Sequence, residues 1–309
     1  MNIYDLVIIG GGPAGVSAGV YAARKRLKTL FITPEWGGQS TVSEGIENWI
    51  GTVKISGTEL AQALKTHLEA YKADIVEIKE QDKVTAITKS GDHFVVTTES
   101  GSTTETKTVL ITTGSHRRKL DIPGAEIFDN KGVTYCASCD GPLFTGKDVV
   151  VIGGGNAGFE TAAQLLAYTK SVTLVQRGEE YRADPVTVQK VLSNPKMKGL
   201  TNTELVSVKG DKFVEALIYK DLADGQTKEI PCQGIFVEIG LIPSTEFAKE
   251  VTEINKFNQI VIDPRTQQTK TKGIWAAGDC TDVLYHQNNI AAGDAVRALE
   301  DIYMYLHTQ

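Results

Sequence analysis

Short apolar runs that end in glycine alternate with helical patterns along this chain, and the alternation occurs twice. Each copy holds an apolar run rich in β-branched residues, a glycine triplet, a helical pattern and a second apolar run: residues 6–9, 10–12, 14–25 and 29–32, then residues 149–152, 153–155, 157–168 and 172–175. Short apolar runs closed by glycine are typical of buried parallel strands. The repeat predicts two βαβ units and therefore two Rossmann-type dinucleotide-binding domains.

The remaining patterns predict that the second domain is inserted into the first. They indicate a helix over residues 58–71, a hairpin of strands 83–88 and 93–98, a strand over 109–114, a helix capped by Asp184, strands over 212–220 and 229–238, a strand over 273–279 and a helix over 290–306. We predict an α/β protein with two Rossmann-type, three-layer ββα-like domains. Residues 1–115 and 244–309 form the predicted first domain, and residues 116–243 form the second.

Composition and charge narrow the possible functions. Of the 309 residues, 41% are hydrophobic and 23% are charged, as in a soluble globular protein. The net charge of -6 argues against nucleic acid and against an anionic membrane surface as partners. No apolar run is long enough to cross a bilayer and no basic leader precedes the first apolar run, so we expect a cytoplasmic protein.

A pair of cysteines is the strongest chemical signal. Cys136 and Cys139 form a Cys-x-x-Cys motif followed directly by Asp140, whereas Cys232 and Cys280 stand alone. Two thiols at this spacing close a small disulfide that a two-electron donor can open. Half of a zinc site is the alternative, but it needs a second pair of ligands at matching spacing. We therefore predict a catalytic dithiol in a reducing compartment, no metal, and two ordinary buried thiols.

The first glycine triplet predicts a dinucleotide site. Gly10 permits the tight turn, Gly12 lets a pyrophosphate approach the backbone, and Gly15 lets the helix pack closely on the strand. The anion would lie at the helix N-terminus, where free N–H groups point at it. The acidic residue that often ends the second strand is absent, since Thr33 occupies that position and Glu35 follows two positions later.

Taken together and in order, these motifs resemble the low-molecular-weight thioredoxin reductases, and the resemblance covers essentially the whole chain. The motifs are residues 10–15, 37–39, 47–49, 112–114, 136–140, 153–158 and 278–279. Segments 135–144 and 278–280 look closer to the flavoprotein subunit of alkyl hydroperoxide reductase. That subunit carries an extra N-terminal thioredoxin-like domain, which we do not expect here.

The resemblance implies that the first domain binds FAD. The implied FAD residues are Gly10, Gly12, Pro13, Ala14, Gly15, Thr33, Glu35, Gly38, Gln39, Asn48, Thr113, Gly114, Gly278, Asp279, His286 and Gln287. Asp279 would accept a hydrogen bond from a ribityl hydroxyl, and a plain turn is the alternative interpretation of Gly278-Asp279. His286 departs from the Arg or Lys that the family usually carries at this position.

The resemblance also implies the roles of the dithiol. Cys139 would face the flavin and form the charge-transfer thiolate, Cys136 would attack the partner's disulfide, and Asp140 would donate or accept the proton. The implied enzyme is a homodimeric thioredoxin-disulfide reductase in which NAD(P)H reduces FAD, FAD reduces the Cys136–Cys139 disulfide, and the dithiol reduces a thioredoxin-like protein. The family implies a rotation of the inserted domain, with hinges expected near Ser115 and Ile242.

The second glycine triplet is predicted to bind the nicotinamide nucleotide. The predicted residues are Gly153, Gly155, Asn156, Ala157, Gly158, Arg177 and Arg182. Thioredoxin reductases carry His-Arg-Arg, three residues and Arg-Ala after the second strand, and this chain retains two of the three arginines. They favour NADPH, because guanidinium groups grip its extra phosphate. NADH stays possible, since Glu179 and Glu180 add negative charge, Gly158 stands where NADPH-using relatives often have alanine, and a solvated surface pair is the alternative interpretation of the arginines.

Three other functions stay open. A thioredoxin reductase fed by ferredoxin or reduced flavin would have a vestigial second nucleotide site. An NADH-dependent reductase of a peroxidase-linked thioredoxin-like carrier would account for the segments that resemble alkyl hydroperoxide reductase. A redox-sensing flavoprotein without turnover is a different class, and the intact Cys136, Cys139 and Asp140 argue against it.

Overall fold

The chain forms two compact units. The computed structural model describes residues 3–43, 45–135 and 137–308, with Ser138 and Cys139 described by their backbone alone. The first unit contains the residues up to His116 and from Ile242, and the second contains Arg117–Leu241. Each unit is built on a parallel sheet covered by helices, so the predicted α/β fold with two dinucleotide-binding domains is confirmed.

The first part of the chain contributes most of the first unit. Its elements are β1 (Tyr4–Gly11), α1 (Pro13–Arg24), β2 (Thr29–Trp36), α2 (Gly57–Tyr71), β3 (Val76–Glu80), β4 (Val84–Ser90), β5 (His93–Thr98), β6 (Thr103–Ile111) and β7 (Ser115–Arg117). A 3-10 turn covers Gly38–Val42. The antiparallel pairing of β4 with β5 confirms the predicted hairpin.

The second unit follows, and the end of the chain then returns to the first. The further elements are β8 (Val133–Thr134), α3 (Ala137–Asp140), β9 (Asp148–Ile152), α4 (Asn156–Leu165), β10 (Ser171–Val175), α5 (Pro185–Leu192), β11 (Met197–Leu200), β12 (Thr203–Gly210), β13 (Val214–Asp221), β14 (Thr227–Pro231), β15 (Gly234–Val237), β16 (Leu241–Pro243), β17 (Ile274–Ala276) and α6 (Asn288–His307). Strands β7 and β16, where the chain passes between the units, form a two-stranded sheet. Within the described residues, no helix combines the length and the apolar character that crossing a membrane requires.

The parallel sheet of the first unit is buried on both faces. Its order is β3-β2-β1-β6, with β17 beside β6 and the β5-β4 hairpin extending from β6. Leu6 and Ile8 of β1 pack into the layer of α1, α2 and α6, while Val7 and Ile9 pack into the layer that contains β4 and β5. All four side chains are at most 3% exposed. The uninterrupted apolar run of β1 follows from this, because successive residues of a strand face opposite sides.

The second unit has the same three layers. Its parallel sheet has the order β11-β10-β9-β15-β8, and a separate antiparallel sheet has the order β12-β13-β14. Val150 and Ile152 of β9 pack towards the antiparallel sheet, where they share a cluster with Val214 and Leu217. Val149 and Val151 pack on the other side into the cluster that contains Phe159 of α4.

The single strand predicted over residues 229–238 is wrong. Strand β14 ends at Pro231 in the antiparallel sheet, and β15 begins at Gly234 in the parallel sheet. Between them Cys232 N donates to the Glu215 carbonyl oxygen at 3.0 Å, and Gln233 N donates to the Asp148 carbonyl oxygen at 2.8 Å. The chain therefore changes sheets without a turn signal, which a pattern of apolar residues does not reveal. Strands β3, β8, β11 and β12 were not predicted.

Candidate functional site

The first glycine loop joins β1 to α1 and leaves the helix N-terminus accessible. Gly10 has a φ of 121°, and a β-carbon there would lie 2.4 Å from the Thr112 carbonyl oxygen. A β-carbon on Gly15 would lie 1.8 Å from the Gly10 carbonyl oxygen, whereas one on Gly12 would meet nothing within 4 Å. No described side chain caps α1 at Gly12. The backbone is therefore shaped for close approach of a pyrophosphate to free N–H groups.

This loop opens into a cleft of about 950 Å³ within the first unit. Its lining includes most of the residues predicted for FAD: Gly10, Gly12, Pro13, Ala14, Thr33, Glu35, Gly38, Gln39, Thr113, Gly114, Gly278 and Asp279. The predicted residues outside the lining are Gly15, Asn48, His286 and Gln287. The cleft thus combines segments from the beginning and the end of the chain, and its volume is typical of a cofactor site.

Thr33 lies within β2 and carries a hydroxyl, instead of the usual carboxylate, that is hydrogen-bonded inside the strand segment. Its hydroxyl donates to the Glu35 carbonyl oxygen, and Glu35 N donates to Thr33 Oγ1 at 3.2 Å. The Thr33 side chain is fully buried, while Glu35 is exposed and lines the cleft. Glu35 therefore presents a carboxylate to the cleft two positions after Thr33.

Asp279 presents a carboxylate to the cleft in the loop that follows β17. Burial raises the pKa of Asp279 above its ordinary value, and a positive charge on the neighbouring His286 acts in the opposite direction. No described side chain donates a hydrogen bond that would hold its charged form. His286 Nε2 is itself buried and makes no hydrogen bond to any described residue. Of the two groups, Asp279 lines the cleft and is placed to accept a hydrogen bond from a ligand there.

Asn48 and Gln287 bond to each other instead of lining the cleft. Asn48 Nδ2 donates to Gln287 Oε1 at 2.9 Å, and Asn289 Nδ2 donates to the Asn48 carbonyl oxygen at 2.6 Å. Ser40 and Asn288, which do line the cleft, are joined by a hydrogen bond of 3.0 Å. These bonds tie the loop after β2 to the start of α6. Ser40 and Asn288 were not predicted, because no local pattern relates positions so far apart in sequence.

The residues of the first unit fit FAD. The uncapped helix and the open space at Gly12 suit a pyrophosphate. The carboxylate of Asp279 suits the hydroxyl groups of a sugar alcohol, which are hydrogen-bond donors.

The second glycine loop, between β9 and α4, has almost the same backbone. Gly153 has a φ of 122°, and a β-carbon there would lie 2.1 Å from the Glu238 carbonyl oxygen. A β-carbon on Gly158 would lie 1.8 Å from the Gly153 carbonyl oxygen, and one on Gly155 would meet nothing within 4 Å. Again no described side chain caps the helix. The second loop is therefore equally suited to a pyrophosphate.

The segment after β10 is held against the second loop by the Gln176 side chain and the Arg182 backbone, and it leaves two guanidinium groups exposed. Gly154 N donates to Gln176 Oε1 at 3.1 Å, and Arg182 N donates to the Gly154 carbonyl oxygen at 2.8 Å. The side chains of Arg177 and Arg182 are exposed. Asn156 Oδ1 accepts from the backbone N–H of Asp184, which caps α5 as predicted. The two guanidinium groups are thus accessible from solvent on the segment that packs against the loop.

Of the predicted redox pair, Cys136 lies outside the described residues, and Cys139 is described by its backbone in α3. Asp140 ends this helix, and the Thr134 hydroxyl donates to its Oδ2. Thr134 belongs to β8, so the parallel sheet fixes the carboxylate next to the dithiol segment. Sequence reasoning did not identify Thr134, since a threonine two residues before a cysteine carries no recognisable signal. Cys232 and Cys280 are buried, as predicted.

The segment after Asp140 is anchored in the core and exposes one large apolar side chain. A β-carbon on Gly141 would lie 2.1 Å from the Tyr168 hydroxyl oxygen, so only glycine packs there without displacing the tyrosine. Phe144 packs edge-on against Phe236 with ring centroids 5.2 Å apart. Leu143, between these anchors, is 69% exposed. The dithiol segment thus has a fixed base and an accessible apolar surface.

Comparison with known proteins agrees with this geometry. The family model described as pyridine nucleotide-disulphide oxidoreductase matches residues 4–295. An alkyl hydroperoxide reductase subunit of Escherichia coli (strain K12) is 39% identical over 306 residues, covering 99% of this chain and 58% of that protein. The NADH dehydrogenase of Bacillus subtilis (strain 168) is 37% identical over 303 residues, covering 98% of this chain and 58% of that protein.

Solved structures extend the comparison. The thioredoxin reductase of Lactococcus lactis superposes with a TM-score of 0.81 at 34% identity, covering 99% of this chain and all of that chain (100%). The thioredoxin reductase of T. acidophilum gives a TM-score of 0.77 at 35% identity, with 98% of both chains covered. The fold and the paired glycine loops define a protein with two dinucleotide-binding domains. The chain belongs to the pyridine nucleotide-disulphide oxidoreductase family, and the predicted resemblance is confirmed. It spans 58% of the length of the curated relatives named above.

Proposed function

We propose that the chain is an FAD-dependent thioredoxin-disulfide reductase that takes electrons from NADPH and delivers them, through Cys136 and Cys139, to a thioredoxin-like protein. The observation that carries the proposal is the presence, in a single chain, of two accessible glycine loops and a Cys-x-x-Cys-Asp segment whose aspartate is held by Thr134. The end-to-end similarity to thioredoxin reductases supports it. Bound FAD would supply two-electron transfer between a nicotinamide and a disulfide, which side chains cannot perform by themselves.

In this proposal, groups of the protein bind and orient FAD and the nicotinamide nucleotide. The N–H groups at the start of α1 hold the pyrophosphate of FAD, and Asp279 accepts a hydrogen bond from its ribityl chain. The start of α4 holds the pyrophosphate of the nicotinamide nucleotide, and Arg177 and Arg182 hold the ribose phosphate that distinguishes NADPH from NADH.

In this proposal, Asp140 donates or accepts the proton in disulfide exchange. When a thiolate attacks the partner's disulfide, one sulfur forms the new bond and the other leaves as a thiolate that must be protonated. A general acid near the leaving sulfur therefore accelerates the exchange. The bond from Thr134 holds Asp140 directly after the dithiol, where it can carry that proton.

Anaerobic titration of the FAD-loaded protein tests the electron donor. We expect NADPH to bleach the flavin absorbance at stoichiometric concentrations, and NADH to do so only at higher concentrations. If neither nucleotide bleaches a flavin that dithionite still reduces, the second loop is not a nicotinamide site. The donor would then be a ferredoxin or a reduced flavin.

The variant Cys139→Ser tests the route through the dithiol. We expect flavin bleaching by NADPH to persist while turnover of a thioredoxin falls at least about a thousandfold, since a catalytic thiol has been removed. Cys232→Ser is the matched control, because it removes a buried thiol of the same unit and should retain both activities. Turnover that survives in Cys139→Ser would contradict the proposed role.

A second candidate function is reduction of a thioredoxin-like carrier that serves a peroxidase. It is favoured by the similarity to the alkyl hydroperoxide reductase of Escherichia coli. Steady-state kinetics with a free thioredoxin and with the isolated thioredoxin-like domain of that reductase would separate the two, since the physiological carrier should have the higher kcat/KM. We also propose a homodimer as the working unit, which sedimentation velocity would test.

A further inference from the structure

The two units differ at the strand end that lies beneath each glycine loop. The carbonyl oxygen that a β-carbon would meet belongs to Thr112 at Gly10 and to Glu238 at Gly153. Each of these residues is followed, two positions later, by a glycine with positive φ, so Thr112 and Glu238 occupy equivalent positions. The Thr112 hydroxyl donates to the Ile9 carbonyl oxygen at 2.8 Å and is thereby used inside the fold. Glu238 places a carboxylate at the same position of the second unit.

The sheet order puts Glu238 at the point where ligands bind in such folds. From β9 the chain proceeds to β10 and β11 on one side, and β15 lies on the other side of β9. Ligands of open α/β sheets bind in the crevice at the carboxyl ends of the strands where the strand order reverses. Here that crevice lies between the end of β9, with Gly153, and the end of β15, with Glu238. In the proposed function, Arg177 and Arg182 bind the adenosine half of the nucleotide on the β10 side. The nicotinamide half would therefore lie on the β15 side.

The polar groups at this end of β15 are not saturated by the protein. Thr161 Oγ1 of α4 donates to Glu238 Oε1 at 2.9 Å. Burial raises the pKa of Glu238, while the nearby Arg117 guanidinium favours its charged form. Arg117 Nη1 is buried, and no described residue accepts a hydrogen bond from it. The two groups are brought near each other by the backbone, since Arg118 N donates to the Gly240 carbonyl oxygen at 3.0 Å. A carboxylate beneath the second loop therefore has near it a buried guanidinium N–H without a described acceptor.

We propose that Glu238 and Arg117 bind the carboxamide of the nicotinamide ring. Glu238 accepts a hydrogen bond from the carboxamide N–H, and Arg117 donates one to the carboxamide oxygen. This assignment rests on the proposed function, since it requires a nicotinamide nucleotide in the second unit. Thr161 orients the Glu238 carboxylate by its hydrogen bond. Through their bonds to the carboxamide, Glu238 and Arg117 position the nicotinamide ring.

Titration calorimetry of the oxidised, FAD-loaded protein tests the assignment through binding alone. The probes are two matched pairs: NADP+ with 2′-phospho-ADP-ribose, and NAD+ with ADP-ribose, where the second member of each pair lacks the nicotinamide ring. In Glu238→Ala and in Arg117→Ala, we expect the whole nucleotide to bind at least about tenfold more weakly, the usual effect of losing a hydrogen bond to a charged group. The matched fragment should bind within about twofold of the wild type.

Two further variants control for charge and for the acceptor atom. Glu160→Ala removes an exposed carboxylate from the same helix as Thr161. Its affinity for both members of each pair should stay within about twofold of the wild type. Glu238→Gln keeps an acceptor oxygen and should bind the whole nucleotide within about threefold of the wild type.

Several results would overturn the assignment. Equal weakening of nucleotide and fragment in Glu238→Ala would mean that Glu238 only shapes the loop, and no weakening of either would mean that it makes no contact. Loss in Glu238→Gln as large as in Glu238→Ala would show that the acceptor oxygen is not what the carboxamide uses. If the wild type binds neither nucleotide, the proposed function itself fails, and this result is distinguishable because it involves no variant.

Discussion

The two glycine loops of this chain have the same backbone and different surroundings. Gly10 and Gly153 share a φ near 121°, and the open positions Gly12 and Gly155 both begin a helix without a described side-chain cap. Around the first loop lies a cleft of about 950 Å³ with the carboxylate of Asp279 in its lining. Around the second, by contrast, lie two exposed guanidinium groups.

The difference shows which part of such a site is general and which part is specific. The glycines form a cradle that recognises only a pyrophosphate at a helix N-terminus, and they serve any dinucleotide. Under the proposed function, selection comes from residues that are remote in sequence, such as Asp279 for one loop and Arg182 for the other. Substitutions of the loop glycines should therefore affect the two units in the same way. Substitutions of the surrounding residues should affect only the unit that contains them.

The largest effect is expected where the backbone itself requires glycine. Gly10→Ala and Gly153→Ala each place a β-carbon within 2.4 Å or less of a carbonyl oxygen at a positive φ, which should lower the free energy of unfolding by about 3 kcal/mol or more. Urea unfolding monitored by circular dichroism measures this for both variants. A change below about 0.5 kcal/mol in either variant would show that the two loops are not equivalent.

The next effect separates ligand binding from folding. Gly12→Ala and Gly155→Ala add a methyl group where no atom of the described residues lies within 4 Å, so the free energy of unfolding should stay within about 0.5 kcal/mol. The methyl group would occupy the path of the pyrophosphate, and affinity should fall by about 10- to 100-fold. Gly12→Ala should lose FAD and Gly155→Ala should lose NADP+. Flavin content and calorimetry report the two outcomes, and loss of the opposite ligand would reverse the assignment of the domains.

A smaller effect concerns the choice of nucleotide. Arg177→Ala and Arg182→Ala should weaken NADP+ binding about tenfold and leave NAD+ binding unchanged, because only NADP+ carries the ribose phosphate. Lys190→Ala removes an exposed positive charge from α5 of the same unit and serves as the control. If the arginine variants bind NADP+ and NAD+ with the same affinities as the wild type, the arginines are an ordinary solvated surface pair.

The smallest effect concerns the stability of the flavin-free first unit. The pKa of Asp279 is raised by burial from its ordinary value of 3.8, so the folded chain binds this proton more strongly than the unfolded chain. The resulting stabilisation is complete below that value and is lost as the pH rises through the pKa of the folded state. Asp279→Asn should therefore stabilise the flavin-free protein at neutral pH by about 0.5 to 2 kcal/mol, as relief of a strained functional group commonly does.

Urea unfolding at several pH values measures that effect. The gain in the free energy of unfolding of Asp279→Asn should become smaller towards acidic pH. The same variant should bind FAD more weakly than the wild type. A gain that does not depend on pH would mean that the charge of Asp279 is not its source. The control Asp263→Asn changes an exposed carboxylate of the same unit and should have no comparable effect.

The sequence predicted much of the fold because local pattern and burial coincide. The runs before Gly10 and Gly153 are apolar at every position because β1 and β9 are covered on both faces. The prediction failed over residues 229–238, where the chain leaves one sheet at Pro231 and enters another at Gly234. Both halves of that segment have strand patterns, so only the hydrogen-bond partners reveal the change.

The candidate site divides in the same way. Motifs carried by consecutive residues, the glycine loops and the Cys-x-x-Cys-Asp segment, were found from sequence because their chemistry depends on spacing. Partners such as Thr134, Ser40 and Asn288 were not found, because each acts through a residue that only the fold brings near. Gln287 hydrogen-bonds to Asn48, and its contact with FAD stays a prediction. The roles of Cys136 and Cys139 stay predictions from the resemblance.

The sequence by itself determined that two glycine loops of the dinucleotide-binding type and one Cys-x-x-Cys-Asp segment are present, since a tight turn, a helix N-terminus and the spacing of two cysteines all depend on residues within a few positions of one another. Tertiary structure alone decided what surrounds them. The pairing of β15 with β9 brings Glu238 beneath Gly153, although 84 other residues separate them in the sequence. Side chains that distinguish one ligand from another come from several strand ends, and those ends meet only after the sheet has formed.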